Sequence, residues 1–148
     1  MSALQLNQQL VVFSLGNEEY ALPITKVQEI IRYTEPRTVA SETAWIRGVI
    51  SLRGKIVPVC DLAARLGLQT ERQADAKIVI IETENGTAGV IVDDVEEVLT
   101  VEPEQLDDVP TAGQDFIEAI AKVDDRLVVL LNADGIFTDL DVAVAAAA

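Results

Sequence analysis

The sequence contains no histidine and only one cysteine, and both scarcities exclude particular kinds of chemistry. Histidine is the usual general base near neutral pH and the commonest zinc ligand, so a Cys-His nucleophile and a zinc site are both excluded. A single cysteine, Cys60, cannot form an internal disulfide. Its apolar neighbours Val57, Val59 and Leu62 predict a buried thiol in a protein of a reducing compartment.

Long apolar runs are also missing. The longest is the tail VAVAAAA at 142–148, which is too short to span a bilayer, and no positive charge precedes the first apolar run. We therefore expect a cytoplasmic protein without direct membrane insertion, and a flexible tail at 142–148 with no assigned role. No glycine loop leads into a helix as a phosphate site requires, and a calcium-loop match fails because Leu130 stands where its first carboxylate must be. We expect no cofactor and no metal.

Basic residues are few: eleven Lys and Arg stand against twenty-five Asp and Glu, for a net charge of −14. Residues 1–77 carry a net charge of +1, whereas residues 78–148 carry −15. Nucleic-acid binding needs clustered Lys and Arg, so we expect no nucleic acid among the partners. The acidic half is interpreted first as a solubilising surface and second as one that steers a basic partner.

Short strands dominate what the sequence does contain. Alternating apolar residues and hairpin turns, such as Asn85-Gly86 and Asp124-Asp125, predict nine or ten strands with only short helices. This is an all-β pattern, and a linker near 68–76 divides the strands into two groups of about five. Such a pattern is typical of either a sandwich or barrels, and two small barrels packed together in one domain, residues 1–148, is one solution that it suggests. If each barrel corresponds to one half of the chain, the two ends of the molecule differ strongly in charge.

Four local predictions can be checked directly. Residues 23–33 fit either a helical face or a strand. Pro58 predicts an edge strand or a bulge, because proline donates no ladder hydrogen bond. Asp61 is expected to cap a short helix that ends at Gly67, and strict alternation in the strand 46–53 would place Val49 on the outward face with Arg47 and Arg53.

Catalytic constellations are weak. Carboxylate pairs such as Asp93-Asp94 and Glu96-Glu97 occupy adjacent strand positions, so their side chains point to opposite faces and cannot share a proton. We do not expect an enzyme. A small enzyme or a ligand-binding β-barrel that uses an apolar pocket and a carboxylate stays open as the alternative function.

One segment carries a family resemblance. WIRGVISLRGKIVPVCDL at 45–62 resembles the signature of the CheW family of bacterial chemotaxis, and EEYALPITKVQEIIR, AGVIVDDVEEVL and DDRLVVLLNADGIF resemble other parts of it in order. The resemblance implies two SH3-like five-stranded β-barrels around a shared hydrophobic core. It also implies a helical turn near 23–26 followed by a strand from Val27.

The same resemblance implies a non-catalytic adaptor. Its partners would be the cytoplasmic tips of methyl-accepting chemoreceptors and the regulatory domain of the histidine kinase CheA, at the inner face of the membrane. Glu29 and Arg53 are expected to form an ion pair at the partner-facing surface, and Val27, Glu29 and Ile31 to share the exposed face of one strand. Gly48, where another chain segment can approach closely, the turn residue Gly54, and Val98 complete the predicted receptor- or kinase-binding set.

Overall fold

The computed structural model describes residues 7–38, 45–68, 75–84, 86–108 and 116–137. Within these ranges the chain forms eleven strands, two one-turn α-helices and two 3₁₀ turns, which confirms the all-β prediction. The strands are β1 (Gln8–Leu15), β2 (Glu18–Pro23), β3 (Val27–Arg32), β4 (Ile46–Leu52), β5 (Lys55–Asp61), β6 (Lys77–Thr83), β7 (Gly86–Val92), β8 (Asp94–Val101), β9 (Leu106–Asp107), β10 (Ile117–Val123) and β11 (Arg126–Leu131). The helices are α1 (Leu62–Arg65) and α2 (Ala133–Ile136), and the 3₁₀ turns are Ile24–Lys26 and Pro103–Gln105.

The strands form two sheets, and each sheet draws on both halves of the chain. The six-stranded sheet has the order β8-β1-β2-β11-β10-β9, and the five-stranded sheet has the order β3-β6-β7-β5-β4. Neither sheet therefore corresponds to one half of the sequence. The 3₁₀ turn at Ile24–Lys26 carries the chain out of the first sheet, so that β3 pairs with β6, while β8 returns to pair with β1.

The two sheets repeat one arrangement. Val27 corresponds to Val95 at an offset of 68 positions, and Trp45 corresponds to Phe116 at an offset of 71. The parallel pair Val59↔Gly89 between β5 and β7 has its counterpart in Leu130↔Ala21 between β11 and β2. Bulges also recur at equivalent places. One occurs in β3 opposite β6 and in β8 opposite β1, and another occurs within β4 and within β10. The exchanged strands β3 and β8 are thus equivalent members of a duplicated unit.

Three apolar clusters fill this framework. One contains side chains from both sheets and both α-helices, including the fully buried Phe13, Leu62, Ile81 and Phe137, and so forms a shared core. A second cluster lies within the six-stranded sheet and a third within the five-stranded sheet. The predicted shared core is confirmed, and because each sheet contributes to it, the two sheets stabilise each other.

Several local predictions are confirmed. A 3₁₀ turn precedes β3, which resolves the ambiguity at residues 23–33. The Asp61 carboxylate accepts a hydrogen bond from the backbone N–H of Ala64 at 3.2 Å, and thereby caps α1. Cys60 is buried, and that burial raises the pKa of its thiol well above the ordinary value. Asn85 of the predicted turn, residues 69–74 of the predicted linker and the tail 142–148 lie outside the described residues.

Two predictions for β4 and β5 are wrong in part. The strand β5 is internal rather than at an edge, since it pairs with both β4 and β7. Pro58 is tolerated because the pairing with β7 begins only at Val59. Val49 is 6% exposed rather than outward-facing, because a register shift between Ile46 and Gly48 breaks the strict alternation.

Candidate functional site

Arg53 and Glu29 form the predicted ion pair. Both terminal nitrogens of the guanidinium donate to the Glu29 carboxylate, and Nη2 lies 2.9 Å from Oε1. Arg53 and Gly54 both have positive φ, 52° and 82°, which is the backbone of a two-residue hairpin turn between β4 and β5. The turn holds the arginine over β3, and the hydrogen bond from Arg53 lowers the pKa of Glu29.

The Arg53 guanidinium remains open to solvent. Its side chain is 71% exposed, whereas that of Glu29 is 26% exposed. A guanidinium has five N–H donors in a rigid planar fork, so one carboxylate does not use all of them. Arg53 is therefore oriented by Glu29 and can still bind a carboxylate from a second molecule.

Gly48 is buried, and a neighbouring segment approaches it closely as predicted. Arg37 and Val49 exchange backbone hydrogen bonds of 2.8 and 2.9 Å, which covers the outer edge of β4. A Cβ added at Gly48 would overlap the Arg37 carbonyl oxygen and lie 2.7 Å from its carbonyl carbon. Gly48 thus supports the site indirectly, because its missing side chain leaves room for the segment at Arg37. Gly48 itself is buried, so its own surface is not available for contact.

The prediction that Val27, Glu29 and Ile31 share one exposed face is wrong. A bulge between Val27 and Glu29 shifts the register against β6. Val27 consequently packs against the shared core, and Ile31 packs against the cluster of the five-stranded sheet. The exposed apolar side chain of β3 is Ile30 instead, at 41%. The binding role of Val27 and Ile31 stays a prediction, and both are partly buried.

This correction makes a testable difference. Val27→Asp is expected to lower the free energy of unfolding by about 2 kcal/mol, because a carboxylate would enter the edge of the shared core. Ile30→Asp is the matched control on the same strand, and its expected cost is below about 1 kcal/mol because the side chain is largely exposed. Urea unfolding followed by circular dichroism measures both, and equal costs would contradict the burial of Val27.

Val98 is exposed at 52%, as its predicted role requires, and the repeat reveals related residues. Val98 corresponds to Ile30, and Leu127 in the six-stranded sheet, 62% exposed, corresponds to Ile56, 46% exposed. Each sheet therefore presents two exposed apolar side chains at equivalent positions. Sequence reasoning missed Ile30, Ile56 and Leu127, although the offset of 68 positions between the halves would have led from Val98 to Ile30.

An arginine and glutamates also recur in the six-stranded sheet. Glu97, the counterpart of Glu29, lies 2.9 Å from Nη2 of Arg126, and the same nitrogen lies 2.7 Å from Glu19. Arg126 comes from β11, so it corresponds to Lys55 rather than to Arg53. In the five-stranded sheet Arg53 pairs with Glu29 of β3, and in the six-stranded sheet Arg126 pairs with Glu97 of β8. The two arginines therefore stand at different positions of the repeat.

This cluster predicts an acid-dependent contribution to stability. The hydrogen bond from Arg126 lowers the pKa of Glu19 below its ordinary value of 4.5. A lowered carboxyl pKa stabilises the folded state above the unfolded value, and this stabilisation is lost as the pH falls through the folded value. The melting temperature of the wild type is therefore expected to exceed that of Glu19→Gln by a few degrees at pH 7, and the gap to close below pH 4. A gap unchanged at pH 2, measured by calorimetry, would contradict this.

Charge is reversed between equivalent positions of the two sheets. Arg53 in the β4–β5 turn corresponds to Asp124 in the β10–β11 turn, and both residues have positive φ, 52° and 55°. Arg47 in β4 likewise corresponds to Glu118 in β10. At these two pairs of equivalent positions, the five-stranded sheet carries a positive charge and the six-stranded sheet a negative one.

Two kinds of feature are absent from the described part of the chain. No helix there is long and apolar enough to cross a membrane. No group of three or more Asp, Glu or Cys side chains in those ranges has an arrangement that could hold a metal ion.

Comparisons with known proteins agree on one family. Residues 9–141 match the family model described as CheW-like domain. The chain is 30% identical to a probable chemotaxis protein CheW of Rhizobium etli, over 93% of this chain and 92% of that protein. It is 32% identical to the chemotaxis protein CheW of Bacillus subtilis, over 90% and 88% of the two chains.

A solved structure shows the same fold. The crystal structure of the scaffolding protein TtCheW from Thermoanaerobacter tengcongensis matches with a TM-score of 0.83 and 34% identity, over 89% of this chain and 93% of that one. The prediction of two SH3-like β-barrels packed around a shared core is confirmed by this match together with the two sheets and three clusters described above.

Proposed function

The chain belongs to the CheW-like family of chemotaxis scaffold proteins, and we propose that it couples chemoreceptors to a kinase. Its partners are the cytoplasmic tips of methyl-accepting chemoreceptors and the regulatory domain of the histidine kinase CheA. It is itself non-catalytic. It works in the cytoplasm, at the inner face of the membrane, to which the receptors recruit it.

One observation carries this proposal: a single core supports two equivalent and exposed contact surfaces of different charge. The five-stranded sheet exposes Ile30 and Ile56, and its Glu29–Arg53 pair leaves the guanidinium open to solvent. The six-stranded sheet exposes Val98 and Leu127, and its charged cluster is the one around Arg126. An adaptor needs two separate surfaces in a fixed relation, and exposed apolar side chains beside oriented charges are suited to protein contacts.

The alternative, a ligand-binding barrel or a small enzyme, is less favoured. Such a barrel needs an open apolar interior, whereas fully buried side chains such as Val12, Leu130, Val59 and Ile78 fill the two barrel clusters in the described residues. The glutamates of the two exposed surfaces, Glu29 and Glu97, are paired with arginines and so are poorly suited to act as bases, and the half-buried Glu118 lies in a surface cleft outside the barrel interiors.

Co-sedimentation tests the proposed function. The purified chain is mixed with CheA and with membrane vesicles that either contain or lack a chemoreceptor. We expect the chain in the pellet only when the receptor is present, and we expect it to increase the amount of CheA in that pellet. Absence of the chain from receptor-containing pellets, or pelleting that does not depend on the receptor, would refute the proposal.

A further inference from the structure

A surface cleft of about 460 Å³ lies at one end of the six-stranded sheet. Its walls come from the start of β1, the 3₁₀ turn after β2, and Glu118 of β10. Pro23 and Ile24 supply apolar surface, while Gln8, Gln9 and Thr25 supply neutral polar groups. The volume falls within the range of sites that accept one side chain or a small molecule.

Glu118 is directed into this cleft by a bulge. Ile117 pairs with Leu131 and Ala119 with Leu130, so Glu118 between them has no partner on β11. A bulge of this kind re-aims the side chain of the extra residue. The carboxylate is half-buried, and this burial raises the pKa of Glu118.

The equivalent bulge in the other sheet shows what Glu118 lacks. There Arg47 is paired with Asp61, with Nη2 and Oδ2 2.6 Å apart. The counterpart of Asp61 is Asn132, whose side-chain oxygen accepts the backbone N–H groups of Asp134 and Gly135. Position 132 therefore offers Glu118 no cationic side chain, whereas position 61 offers Arg47 an anionic one.

No Lys or Arg side chain in the described residues forms an ion pair with the Glu118 carboxylate. Lys26 lines the same cleft, but its ammonium is placed 3.9 Å from Asp134. The described ranges include ten of the eleven Lys and Arg, and in those ranges the Glu118 side chain makes no ion pair and no hydrogen bond. A partly desolvated carboxylate without a cation costs folding free energy, so its presence favours a role in binding.

We propose that the cleft is a docking site for a lysine or arginine side chain of a partner protein. The cation pairs with Glu118, and the alkyl stem lies on Pro23 and Ile24, where Ile24 is 37% exposed. A small inorganic cation would leave this apolar surface uncovered. The inference rests on the proposed adaptor function in one respect: the cation is a side chain of a partner protein.

The test uses side-chain analogues and the full chain. Isotope-labelled protein is titrated with N-acetyl-arginine amide and N-acetyl-lysine amide, and with the neutral N-acetyl-citrulline amide as the matched probe. We expect the cationic probes to shift the backbone NMR signals of Gln9, Thr25 and Glu118, and to lower the measured pKa of Glu118. Citrulline should give no such pattern. Affinity should fall about fivefold or more in Glu118→Gln, and be unchanged in the exposed control Glu96→Gln.

Three outcomes overturn the proposal: no shifts at the cleft, equal shifts with citrulline, or unchanged affinity in Glu118→Gln. A Glu118 pKa below its ordinary value of 4.5 in the free chain would also overturn it, because a cation of the chain itself would then already pair with this carboxylate. Glu118→Gln should in addition be at least as stable as the wild type, so misfolding of this variant is not expected to obscure the result. Since no kinase or receptor is used, a negative result here leaves the proposed coupling function intact.

Discussion

Replacing Gly48 by alanine is expected to lower the free energy of unfolding by about 2–5 kcal/mol. The residue has φ +148°, which L-residues rarely adopt, and the added Cβ would overlap the carbonyl group of Arg37. The obstacle is backbone rather than a flexible side chain. The segment around Arg37 would have to move away from β4, and its two hydrogen bonds with Val49 would be strained or broken.

Gly54→Ala is the matched control for this prediction. Gly54 also has a positive φ, 82°, but no atom lies within 4 Å of the position of an added Cβ. Its expected cost is therefore the backbone strain alone, about 1 kcal/mol. Denaturant unfolding of both variants separates the two causes. Equal losses would show that strain in φ, and not the approach of Arg37, makes glycine necessary at position 48.

The second large effect concerns binding. Arg53→Glu is expected to weaken binding to the kinase regulatory domain or to the receptor by about tenfold or more, with little change in folding stability. The guanidinium is mostly exposed, and its replacement would place two carboxylates side by side at the contact surface. Titration calorimetry against each purified partner measures the loss, and thermal unfolding verifies that the variant is folded. Unaltered affinity for both partners would contradict the assignment of this surface.

A double variant distinguishes an internal role of this pair from direct contact. Glu29→Arg combined with Arg53→Glu restores an ion pair inside the protein with its direction reversed. If Arg53 serves only to position the β4–β5 turn, the double variant should recover binding. If the guanidinium meets a carboxylate of the partner, stability should recover while binding remains weak.

Local structure was predictable because it depends on neighbours in the sequence. Alternating apolar residues located most strands, and the Asp61 side chain identified the start of α1. The Glu29–Arg53 pair was also predicted, but from the family resemblance and not from spacing. Its geometry depends on the turn at Arg53 and Gly54, which places the Arg53 guanidinium beside Glu29 of β3.

Pairing over long distances was not predictable from these local signals. Nothing in residues 27–32 indicates that β3 pairs with β6, about fifty positions later, rather than with β1 or β2. The face of Val27 was predicted wrongly for a related reason. A bulge adds one residue to one strand without a sequence signature of its own, and from that point every side chain lies on the opposite face. The charged cleft at Glu118 depends on another such bulge.

The exchange of β3 and β8 has the geometry of a swapped dimer whose two protomers have been joined into one polypeptide. Two separate identical protomers would present the same surface twice, and any substitution would alter both copies together. Joining them removes that constraint. Arg53 and Asp124, or Arg47 and Glu118, can then carry opposite charges at equivalent places while one core holds both. The duplicated unit thus has two unlike ends, and one end can bind a charged group that the other would repel.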